Sequence, residues 1–90
     1  MKINYEVILL ELKELAEQIG YRIRYEKGDF DGGYCLLKDQ RFIIINKKID
    51  VKKKISILAR NLYEIGIENV YLKPALREVI EEEVLKNKIS

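Results

Sequence analysis

The side chains able to do chemistry in this chain are few, and the most informative are the ones it lacks. Its 90 residues include no histidine and a single cysteine, Cys35. Histidine is the usual side chain for proton transfer near neutral pH and the commonest zinc ligand, so hydrolytic chemistry loses both its customary base and its customary metal site. Cys35 falls in a segment that reads as a strand. With no imidazole to take its proton, a reactive thiolate would depend on Lys or Arg alone, and a core cysteine fits better. Glu78, Glu81, Glu82 and Glu83 form a tight set of carboxylates. Glu78 shares a helical face with Glu81 and with Glu82, and a hard cation could bridge such a pair. No second segment supplies a matching set, so a solvated face is expected, with Glu82 and Lys86 spaced as an i, i+4 ion pair. Asp29-x-Asp31-Gly32 opens like a calcium loop but lacks the remaining ligands and the closing glutamate, and reads as a turn. No metal or other cofactor is expected.

The lysines are the strongest polar signal. Lys47, Lys48, Lys52, Lys53 and Lys54 cluster around the start of a predicted helix, where exposed cations oppose the helix dipole by roughly 0.3–1 kcal/mol each. Such a cost invites a counter-charge from the last helix, from a second chain, or from a phosphate, which favours a helix N-terminus. These five residues are therefore the candidate anion-binding site. The run holds no aromatic residue on which a base could stack, and the net charge is only +2, so nucleic acid is not the expected partner.

Periodicity shows which elements must position these groups. A first helix is predicted from Tyr5 to Ile19, capped by Asn4 and stopped by Gly20, with Ile8, Leu12, Leu15 and Ile19 as its inner stripe. Val7, Leu9 and Leu10 widen its apolar surface beyond what one sheet requires, and mark it for self-association as a homodimer or for contact with another helix. From Tyr21 to Lys27 the period becomes two, the mark of a strand with one wet face. A loop follows over Gly28–Gly33, then a strand from Tyr34 to Lys38 and a turn at Asp39-Gln40. The four consecutive apolar residues Phe42 to Ile45 make Arg41–Asn46 the central strand. Asp50 caps a second helix, striped by Val51, Ile55, Leu58, Leu62 and Ile65 and ended by Gly66. Pro74 starts a third, striped by Leu76, Val79, Ile80 and Val84. The expected fold is a single α+β domain of order α-β-β-β-α-α: three helices on one face of a small, mainly antiparallel three-stranded sheet. A lone cysteine points to a reducing, cytoplasmic setting, and no stretch has the composition of a signal peptide or a membrane span.

The middle of this order carries a further pattern. Gly32-Gly33-Tyr34-Cys35 precedes Phe42-Ile43-Ile44-Ile45-Asn46, and the next helix reads Leu58-Ala59-Arg60-Asn61-Leu62-Tyr63-Glu64. From Tyr21 to Gly66 this resembles the core of the ImmA/IrrE-type metallopeptidases, a zincin-like family whose helix carries the zinc motif HExxH. The resemblance implies a zincin-like scaffold stripped of its active site. Arg60 stands at the first ligand position, Asn61 at that of the catalytic glutamate and Glu64 at that of the second histidine. Arginine has no lone pair for a metal, and asparagine cannot act as a general base. Arg60 and Glu64 are then expected to form a surface ion pair. Two function classes follow. One is a non-enzymatic interaction or regulatory domain that associates with itself or with another protein; the other is a small anion- or nucleic-acid-binding module built on Lys47–Lys54.

Overall fold

A computed structural model describes residues 4–89, with side chains described through Lys86. Three helices, α1 (Tyr5–Gln18), α2 (Val51–Ile65) and α3 (Pro74–Ile89), and three strands, β1 (Tyr21–Glu26), β2 (Gly32–Leu37) and β3 (Gln40–Asn46), follow in the expected order α-β-β-β-α-α. The caps form as the residue types dictate. Asn4 Oδ1 accepts from the Val7 N–H at 3.3 Å, and Asp50 Oδ1 accepts from the Lys53 N–H at 2.8 Å. Gly20, just beyond α1, takes φ +92, where a side chain would be strained.

β3 is the centre of the sheet, in the order β1-β3-β2. β2 pairs with it as an antiparallel hairpin, whereas β1 runs parallel to it, from Tyr21 opposite Arg41 to Glu26 opposite Asn46. The sheet is therefore mixed, and the chain must cross the end of β3 between β1 and β2. Asn46, 7% exposed, holds that crossing. Its Nδ2 donates to the carbonyls of Gly28 (2.9 Å) and Phe30 (2.7 Å), its backbone N–H donates to Asp31 O (2.9 Å), and its Oδ1 accepts from the Lys48 N–H (3.0 Å). A buried amide satisfied on every side is the condition for keeping a polar group in a small core.

Two local expectations are corrected. The hairpin turn is Lys38-Asp39, not Asp39-Gln40, because Leu37 pairs with Gln40 and both turn residues have positive φ, +49 and +67. Two positive φ values are what a two-residue connection needs to match strand twist, and tertiary pairing imposes them on residues that do not favour them. β2 also starts two residues early, at Gly32, because the absence of a side chain lets it close on its neighbours. A Cβ there would lie 2.6 Å from the Ile44 carbonyl and 2.9 Å from the Ile57 side chain.

All three helices pack into one core with the sheet. Ile43 and Ile45 of β3 are fully buried with Leu58 and Leu62 of α2, Leu12 of α1 and Ile80 of α3. The alternation along β3 turns Phe42 and Ile44 the other way, onto a face where they are only half-buried. Among the described residues no helix is long and apolar enough to cross a membrane.

Candidate functional site

On α2, the positions that resemble the zinc motif are built into the helix itself. Arg60 Nε donates to the Ser56 carbonyl one turn back, at 3.3 Å. The expected Arg60–Glu64 ion pair does not form, and Glu64 stays exposed. Asn61 is buried, 8% exposed, and its Nδ2 has no hydrogen-bond partner. It lies one turn after Ile57, the residue against Gly32, and so on the β2 side of the helix. Among the described residues no three of Cys, Asp and Glu converge as a metal site.

The five lysines surround the start of α2 without converging. Lys52 Nζ lies 5.0 Å from the centre of the Tyr5 ring, Lys54 Nζ 5.3 Å from that of Tyr25, and Lys53 Nζ 3.4 Å from Asp31. The counter-charges are thus aromatic faces and one aspartate from other elements, not glutamates of α3. Successive residues on a helix point about 100° apart, which sends these three side chains to three different neighbours. The helix N-terminus is itself already occupied by the Asp50 carboxylate. Lys47 and Lys48 are exposed on the preceding turn.

Cys35 is half-buried and reduced. Half-burial was expected of it, but it stands opposite Phe42 in the β2–β3 register, on the face away from the helices and outside the main core. On α3, Lys86 pairs with Glu83 at 3.1 Å rather than with Glu82. The hydrogen bond and charge of Glu83 raise the Lys86 pKa above its ordinary value.

The apolar excess of α1 divides three ways. Leu9 belongs to the core, which removes it from the self-association set and fits the alternative of packing within the chain; Leu10 (54% exposed) and Val7 (46%) do remain on the surface. Leu10 stands among the charged residues of the solvent face, while Val7 turns toward α3. There the two helices run antiparallel, with Tyr5 near Lys86 at one end and Leu15 and Gln18 near Leu76 and the connector residue Leu72 at the other. Between them lie two hollows with no lining residue in common, a groove of about 610 Å³ over the Tyr5 half and a smaller one of about 260 Å³ over the Gln18 half. Val7, Ile8, Ala75 and Val79 give the larger half an apolar floor, and Glu78 and Glu82 stand along it. Sequence reasoning found Val7 and the glutamates separately; only the antiparallel packing of α1 on α3 joins them.

No family model, curated protein or solved structure matches the chain.

Proposed function

We propose that the chain is a non-enzymatic interaction domain on a zincin-like scaffold, which acts by offering surface to another protein. The groove between α1 and α3 carries this reading. It leaves Val7 nearly half exposed beside Ile8, Ala75 and Val79, so that apolar side chains of two helices share one exposed concave surface. Concave, apolar and bounded by polar residues, it has the make-up of a recognition surface. The α2 positions that resemble the zinc motif support the non-enzymatic part. Arg60 is engaged by its own helix, and Asn61 is inside the protein.

The test is affinity capture from lysate of the source cells with the unmodified protein and with a Val7→Glu, Ala75→Glu variant, both positions being exposed. A protein retained by the first and lost by the second supports the reading; identical captures reject it. Self-association through Val7 and Leu10 is a special case of the same reading, and sedimentation velocity across a wide concentration range reports it directly. The anion-binding alternative rests on Lys47 and Lys48, since the other three lysines already have partners within the chain.

A further inference from the structure

We infer that the α1/α3 groove receives a basic amphipathic helix from a different protein, with aliphatic residues on its inner face and Lys or Arg along its margins. The inference rests on the interaction-domain reading and specifies what the domain receives. On α3 the groove runs from Ala75 to Lys86, which at a rise of 1.5 Å per residue is roughly 16 Å, or about three helical turns. An amphipathic helix lays its apolar face into a groove of this kind through residues spaced i, i+3, i+4 and i+7.

Charge decides what stands at the margins. Glu78 and Glu82 on α3 border the groove, with Glu14 of α1 beside the smaller hollow further along the seam; all three are exposed and form no ion pair among the described residues. Among the described residues, the lysines that line the seam are each held by a carboxylate, Lys73 by Glu11 at 3.6 Å and Lys86 by Glu83 at 3.1 Å. The described margin left to a newcomer is therefore rich in carboxylate, although the whole chain carries +2. Complementary potential both attracts the right partner and penalises the wrong one.

The same argument disfavours a second copy. A two-fold interface sets each patch against itself, so a carboxylate-rich margin would face a second carboxylate-rich margin rather than a basic surface. A head-to-tail arrangement would need a basic stripe on this chain. The lysine run does not provide one, because Lys52, Lys53 and Lys54 turn toward Tyr5, Asp31 and Tyr25 respectively.

The probe is a synthetic helix of about 14 residues, with leucines at i, i+3, i+4 and i+7 and lysines at the margins, beside a control with glutamates in place of the lysines. Binding is followed by fluorescence anisotropy and by amide chemical shifts of the full chain. The lysine peptide should bind and the glutamate peptide should not, with shifts centred on Val7, Ala75, Glu78 and Glu82. E78K/E82K should weaken binding at least tenfold, whereas D29K/D39K, equal in charge change but remote from the groove, should leave it within about twofold. Circular dichroism checks that both variants remain folded. Shifts centred elsewhere, or equal loss in both variants, would overturn the inference. If the peptide fails while capture from lysate still depends on Val7 and Ala75, the basic-helix partner is rejected and the interaction reading stands; if both fail, both are rejected. Dimers in sedimentation that dissociate on Val7→Glu would assign the groove to a second copy and equally overturn it.

Discussion

Asn46 and Asn61 are both buried, but Asn46 directs its amide to two loop carbonyls while Asn61 leaves its own unanswered. An unsatisfied buried polar group costs about 1–3 kcal/mol, and removing one partner of a satisfied set creates such groups. Asn46→Ala should therefore destabilise the protein by about 2–4 kcal/mol, since it orphans two carbonyls and the Lys48 N–H. Asn61→Leu removes an existing orphan at similar volume and should stabilise by about 1–2 kcal/mol. Urea denaturation of the two variants distinguishes opposite signs, and a loss of stability in Asn61→Leu would show that its amide is answered in solution. Neither role was legible in the sequence. Asn46 read only as the end of a strand, because its partners lie 16 and 18 residues away; Asn61 read as a motif position, and periodicity alone did not place it inside.

At the scale of the element, spacing was a good guide wherever one face alone had to be apolar. The α2 stripe faces Ile43 and Ile45, and Leu58 is fully buried. Leu58→Ala should cost about 2–5 kcal/mol by chemical denaturation; a loss below about 1 would contradict its place in the core. α1 was harder to read, because Leu9 and Leu10 are adjacent and both apolar. Helical geometry separates them by about 100°, which puts one in the core and the other in water. Leu9→Glu should unfold the protein or come close to it, while Leu10→Glu should stay within about 0.5 kcal/mol of the parent, and thermal melts of the pair give the contrast. The β2–β3 turn was misplaced by one residue for a different reason. Neither Lys38 nor Asp39 is the glycine that would have announced positive φ, so the register had to come from the pairing itself.

Over the whole molecule, the class and the element order were legible, but the placement of β1 beside β3 was not. Alternation within a strand says which residues share a face and nothing about which neighbour the strand takes. The same blindness applies to charge. The lysine run looked like a cost awaiting a ligand, yet three of its members already rest on Tyr5, Asp31 and Tyr25. Changing Lys52, Lys53 and Lys54 to Gln relieves about 0.3–1 kcal/mol of dipole repulsion each. It also removes two cation–π contacts worth about 0.5–1 kcal/mol each at exposed sites and the exposed Lys53–Asp31 ion pair, worth about 0–1 kcal/mol. The net change in stability should be close to zero, and a melt shifted by more than a few degrees would mean one of these terms dominates. The crossing over the end of β3 has a consequence for the order of assembly. β2 and β3 meet through a two-residue turn, whereas β1 pairs with residues twenty positions later, from Tyr21 opposite Arg41 onward. Local closures form before distant ones, so the hairpin and α2 should collapse first, with α1 and β1 docking afterwards as a unit and Asn46 fastening the crossing after the rate-limiting barrier. In stopped-flow experiments Asn46→Ala should then fold at nearly the parent rate and unfold faster by on the order of a hundredfold. Slowed folding in that variant would mean that the strap is tied before the barrier, and that the parallel pair, not the hairpin, nucleates this molecule.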